Sequence, residues 1–161
     1  MTAPVLAYLT EACVHAGLPR TRVLVRRSRE EAYRTVPAAL LALTSGSLRR
    51  DGSRVQAGPE RTTRTLYRGL VRARLELYAR SQEELDRLLV GVLLYLWHTP
   101  LEAGGSYQAK LDEITLSYQD EEGFLLPENG LALEIPVEVY LLEGVDWVPV
   151  AVEVEGLVEE V

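Results

Sequence analysis

The stretch Leu70-Val-Arg-Ala-Arg-Leu-Glu-Leu-Tyr-Ala-Arg-Ser81, running on through Gln82-Glu-Glu-Leu to Trp97, decides the fold. Val71, Ala73, Leu75, Leu77 and Ala79 alternate with Leu70, Arg72, Arg74, Glu76, Tyr78 and Arg80. Successive strand side chains point to opposite faces, so this period of two predicts a strand with the first set inward and the charged set outward. Ser81 then predicts a helix N-cap, with Glu84 at the third helical position completing a capping box. Leu85, Leu88, Leu89, Val92, Leu93 and Leu96 follow as an amphipathic stripe. Thr99-Pro100 and Gly104-Gly105 are expected to end the helix.

Upstream, Thr2 and Pro4 begin a helix whose apolar seam is Val5, Leu6, Leu9, Ala12, Cys13 and Ala16, and Gly17 and Pro19 stop it. Cys13 on that seam reads as a packed small hydrophobe. Arg22 to Arg27 reads as a short strand, Ser28 to Val36 as loop or a short helical turn, and Ala38 to Thr44 as a strand after Pro37. Asp51-Gly52 and Gly58-Pro59 are turn signals. The Arg-rich piece between them is expected as a mobile hairpin or loop, within a loop at 47–64. Downstream, Ile114, Leu116 and Tyr118 alternate, and Asp120 to Gly123 makes a turn. Leu131, Leu133, Ile135, Val137, Val139 and Leu141 then alternate, with Glu134 and Glu138 outward. Pro136 predicts an edge strand or a bulge, because it cannot donate to a ladder. Val148 to Val154 reads as a last strand after a turn at Gly144. This order predicts a single α+β domain over 1–161: a mainly antiparallel β-sheet with an N-terminal helix and one long central helix on one face.

Composition narrows the classes. A chain of 161 residues, 47% apolar and 25% charged, is expected to be globular rather than disordered. Its longest apolar stretch, Leu88 to Trp97, is too short to span a bilayer, so no membrane partner is expected. No basic segment leads an apolar run at the N-terminus, and the single cysteine fits a reducing compartment, so an intracellular protein is expected. Charge is uneven. Residues 1–110 carry all 17 basic residues and 10 acidic ones, for +7, whereas 111–161 carry 14 acidic residues and no base, for −14. Such asymmetry bears on association rather than on fold.

Catalytic constellations are not evident. His15 and His98 lack carboxylate or cysteine neighbours at ligand spacing, so neither a metal nor a cofactor is expected. No nucleophile motif accompanies them. The pairs Glu30-Glu31, Glu83-Glu84 and Glu121-Glu122 are sequence neighbours that seldom converge. Ala103-Gly104-Gly105-Ser106 lacks the Lys-Ser/Thr of a phosphate loop. The expectation is that the chain is not an enzyme. Arginine clusters at 20–29, 49–54 and 61–68 could meet phosphates, which leaves a nucleic-acid-binding regulatory module as an alternative. No helix-turn-helix, zinc or aromatic RNP signature accompanies them.

The alternating strand ending in Tyr78-Ala-Arg-Ser81 and passing directly into the leucine helix resembles the tail-completion, or tail-terminator, proteins of long-tailed bacteriophages. The N-terminal helix, the strand near Val23, the Pro-led strand at Pro37 to Thr44, the acidic turn at Asp120 and the terminal strand at Leu131 to Leu141 are similar in layout. The resemblance implies a structural virion protein, without catalytic residues, that forms a ring, usually of six subunits. The ring caps the head-proximal end of the tail tube and joins it to the head connector. Its implied partners are itself, the tail tube protein and the head-tail connector protein, and DNA would only pass through the lumen. The implied location is the virion tail, and the host cytoplasm during assembly. A tail tube or baseplate subunit is the alternative within the same class. Arg68, Arg72, Arg74, Arg80, Glu134 and Glu138 are the candidate interface residues.

Overall fold

A computed structural model describes residues 2–58, 61–101, 107–109 and 113–146. The elements run α1 (Thr2–Ala16), β1 (Val23–Val25), α2 (Arg29–Arg34), β2 (Ala38–Arg50), β3 (Arg54–Gly58), β4 (Arg61–Tyr78), α3 (Gln82–His98), β5 (Tyr107–Ala109), β6 (Thr115–Ser117) and β7 (Gly130–Asp146). The fold is α+β. Among the described residues, all strands belong to one sheet in the order β1-β2-β4-β7-β5, with β3 also paired to β4 and β6 to β7. β3–β4, β5–β7 and β6–β7 are antiparallel, whereas β1 runs parallel to β2 in the register Val23 to Ala39.

Local chemistry explains the helix ends. At α1, Gly17 takes φ +119, and the N–H groups of Gly17 and Leu18 bond the carbonyls of Val14 and Cys13, both at 3.1 Å. This pair satisfies the last carbonyls of the helix in a Schellman motif, with Leu18 and Cys13 buried beside it. At α3, Ser81 Oγ accepts from the N–H of Glu84 at 3.1 Å. The return half of the expected capping box is displaced by one residue, since Glu84 accepts from the N–H of Arg80 at 2.8 Å. The Ser28 segment, open between loop and short helical turn in the sequence, is the helix α2, and there the box is complete between Ser28 and Glu31.

Two compact units divide the chain: residues 1–47 with 69–139, and residues 48–68 with the chain from Tyr140 onward. The first holds the main core. Val5, Leu9, Ala12 and Cys13 of α1 and Leu85, Leu88, Val92 and Leu96 of α3 pack on Ala39, Leu41, Val71, Ala73, Leu75, Leu77, Leu133, Ile135, Val137 and Val139 of the sheet. The alternation read from β4 and β7 therefore identifies the face that carries α1 and α3. The opposite face has its own smaller cluster, in which Ala32 of α2 packs with Ala38, Leu40 and Tyr78. α2 is thus a helix on the second face, which the sequence reading did not place there.

Four further expectations change. β4 does not present its charged set to solvent: Arg74, Glu76 and Tyr78 are buried, while Arg72 and Arg80 are exposed. The segment 47–64, expected as a mobile hairpin or loop, is in strand at 47–50, 54–58 and 61–64, and at 51–53 the chain breaks the ladder without reversing, since the N–H groups of Asp51 and Gly52 bond the Leu66 and Thr65 carbonyls of β4. Gly52 there takes φ +91, and Asp51 accepts from the N–H of Ser53 at 2.8 Å. Pro136 does not mark an edge strand, because β7 lies between β4 and its partners β5 and β6. It falls between the β6 pairing, which reaches Glu134, and the β5 pairing, which begins at Val137. β7 also continues through Gly144 rather than turning there. The strand expected at Val148 to Val154, the glycines at 104–105 and Pro59 lie outside the described residues.

Candidate functional site

The charged face of β4 organises a buried ion network in the first unit. Arg29, the first residue of α2, donates to Glu76 from Nε at 2.8 Å and from Nη2 at 2.7 Å. Arg74 Nε donates to the same carboxylate at 2.7 Å, and the Tyr78 hydroxyl donates to it as well. Arg74 continues outward through Nη1 to Glu134 at 2.9 Å and Nη2 to the Gln119 carbonyl at 2.6 Å. Arg29 also pairs with Glu121. Five charged side chains from α2, β4, β7 and the turn after β6 are joined in this way, around a Glu76 residue only 2% exposed.

The electrostatics follow from these contacts. Burial acts to raise the Glu76 carboxyl, but hydrogen bonds from Arg29, Arg74 and Tyr78 outweigh it and hold the group below the ordinary glutamate value. Burial, and then the Glu76 carboxylate, push the Tyr78 phenol upward. The Arg29 guanidinium holds Glu121 low. Four donors fill the acceptor sites of Glu76, so it has no free lone pair with which to act as a base. A cleft of about 480 Å³ lies alongside, lined by Thr44, Arg72, Arg74, Glu113, Glu134 and Pro136 among others. Its charged groups are those of the network and its rim, and the arrangement ties α2 and the β6–β7 turn to the sheet.

Of the six residues expected at an interface, the structure brings Arg74 and Glu134 together. Arg74 is buried and paired within the chain. Glu134 is half-exposed and bound to Arg74. Arg72 is exposed at the cleft, and Arg80 is exposed but paired to Glu84 at 3.1 Å. Arg68 belongs to the second unit, where it pairs with Asp51 at 3.2 Å and stacks 5.2 Å from the Tyr140 ring centroid. Glu138 is half-buried. Sequence reasoning missed Arg29, Glu76 and Glu121 as one group. Ser28-Arg-Glu-Glu31 is a capping-box signature that marks α2, but nothing in the sequence pairs Arg29 with a residue 47 positions away.

Among the described residues of the first unit, two apolar surfaces are left open. On α3, Val90, Leu94 and Trp97 follow at helical spacing on the side away from the core, and Trp97 is 76% exposed. On β6 and the turn after it, Leu116, Tyr118, Phe124 and Leu125 are exposed. The alternation of Ile114, Leu116 and Tyr118 does not bury them all: Leu116 on the three-residue strand β6 and Tyr118 just after it are exposed.

No family model matches the chain, and no curated protein matches it either. Among the described residues no group of three or more His, Cys, Asp or Glu side chains is placed to hold a metal ion, and no helix is long and apolar enough to cross a membrane.

Proposed function

We propose that the chain is a structural assembly protein, a tail-terminator subunit that closes into a ring at the head-proximal end of a phage tail tube and joins it to the head connector. The observation that carries this reading is the two-sided apolarity of α3. One face, Leu85, Leu88, Val92 and Leu96, is buried in the core, while Val90, Leu94 and Trp97 stay exposed on the other. An exposed apolar stripe on a helix whose other face is already buried marks a contact site for a partner. The passage from β4 through the Ser81 cap directly into α3 is the layout that resembles the tail-completion family.

In this reading no side chain is catalytic. The Arg29–Glu76–Arg74 network holds α2 and the β6–β7 turn in place, so that the surfaces offered to neighbouring subunits are preorganised. Ring closure needs a heterologous contact whose repeated rotation returns to its start, with the tube protein and the connector on the two ring faces. Sedimentation velocity and negative-stain imaging of the purified chain test it. The expected result is a closed ring of one size, formed by the free chain or on the ends of purified tail tubes. A chain that stays monomeric at all concentrations and leaves tube ends uncapped overturns it.

A second reading, a nucleic-acid-binding module, is favoured by Arg49, Arg50 and Arg54, which are exposed and without a carboxylate partner among the described residues. It predicts tight binding to double-stranded DNA that weakens steeply with salt.

A further inference from the structure

The turn after β6 is firmly built, yet it presents apolar side chains. The Asp120 N–H bonds the Phe124 carbonyl and the Leu126 N–H bonds the Tyr118 carbonyl, both at 2.8 Å. The Asp120 carboxylate accepts from the N–H groups of Glu122 at 2.8 Å and Phe124 at 3.0 Å. Gly123 takes φ +89, and the Glu121–Arg29 pair ties the turn to α2. On this scaffold Phe124 is 66% and Leu125 78% exposed. Solvated turns ordinarily carry Gly, Asn, Asp, Pro or Ser at such positions. Apolar side chains on a turn already ordered lose little further freedom when covered, so they are cheap to bury against a partner. Exposed Glu122 and Glu128 flank them, with no cation partner among the described residues.

The second unit carries a surface of opposite character. Leu48, Arg49 and Arg50 at the end of β2, Arg54 at the start of β3 and Tyr67 on β4 are exposed. Turn against turn would set Glu122 and Glu128 against their own copies, and junction against junction would do the same with the arginines. Like-charge opposition therefore disfavours a two-fold contact through either surface and favours a head-to-tail one.

We propose that the Phe124–Leu125 turn of one copy docks on the basic junction between β2 and β3 of a second copy. The proposal rests on the ring reading above and names the two halves of its subunit contact. The apolar tip holds the complex together, while the acidic and basic rims set orientation and encounter rate.

Charge reversal on the full chain tests it. Arg49→Glu/Arg50→Glu makes both surfaces acidic, and Glu122→Arg/Glu128→Arg makes both basic. Each variant alone is expected to lose the assembled species in sedimentation velocity at concentrations where the parent chain assembles. An equal mixture of the two is expected to regain it as alternating copies, a rescue that misfolded variants would not show. Phe124→Asp/Leu125→Asp is expected to lose assembly in every mixture while keeping the parent melting temperature.

Assembly by the reversed variants alone, or a mixture that fails to recover, overturns the proposed contact while leaving the ring reading in place. A parent chain that is monomeric throughout, with or without tube ends, overturns both. If Arg49→Glu/Arg50→Glu loses binding to double-stranded DNA but assembles normally, the β2–β3 junction is a phosphate-binding surface and the contact is overturned.

Discussion

Arg29 and Glu76, 47 residues apart, form a two-pronged pair with both hydrogen bonds under 3 Å, and this fork joins the first turn of α2 to the C-terminal end of β4. Fork-to-fork geometry is the strong form of the arginine–carboxylate contact. Here it sits against a carboxylate that also receives Arg74 and Tyr78. A sheet face patterned as solvent-exposed becomes interior because α2 crosses it.

Removing the shared carboxylate should be costly. Glu76→Ala leaves the Arg74 side chain, 7% exposed, without its inner partner, and a loss of about 3–5 kcal/mol is expected. Arg29→Ala should cost less, since Arg29 is 26% exposed and Glu76 keeps Arg74. Urea unfolding measures both, and equal midpoints for Glu76→Ala and the parent chain would refute the role of the network.

Acid should weaken the fold through the same groups. Glu76 and Glu121 are held below the ordinary glutamate value, so their contribution is fully present above about pH 4.3. It is lost as pH falls through their lower folded values, because the unfolded chain then binds protons that the folded chain refuses. Melting temperature followed from neutral pH downward should drop below that point, and Glu76→Gln should show a shallower drop. Parallel curves would contradict the assignment.

Gly91 sets how closely α3 approaches α1. A Cβ at Gly91 would stand 2.7 Å from Ala16 Cα and 2.8 Å from Ala16 Cβ. Alanine ordinarily favours a helix interior over glycine by about 1 kcal/mol. Here the clash with backbone should win, and Gly91→Ala is expected to destabilise by about 1–3 kcal/mol. A raised melting temperature would show that the two helices separate at little cost.

Cys13 should be inert in the folded chain. It is fully buried in the α1 seam, and burial pushes its thiol up to about 12. A thiol reagent at neutral pH should label it only as fast as the protein opens, and at once in denaturant. Rapid labelling of the native chain would mean that the α1–α3 core is open.

The α1 seam, the β4 alternation, the Ser81 cap and the buried stripe Leu85, Leu88, Val92 and Leu96 were all legible from residue order, because each is a local pattern with a period of 3.6 or 2. So was the α+β class, which follows from the order of the elements. Period two separates the faces of a strand but says nothing about what lies over each. That Arg74, Glu76 and Tyr78 are interior was decided by α2, a helix of six residues, crossing between the parallel strands β1 and β2. The place of Pro136 in a central strand was likewise decided by the ends of β6 and β5, which no local signal marks. Leu116 and Tyr118 alternate like core residues yet face solvent, because strand exposure depends on neighbours contributed by distant chain. Local periodicity is written in adjacent residues; burial of a charge needs a partner, and its partner here lies 47 positions away.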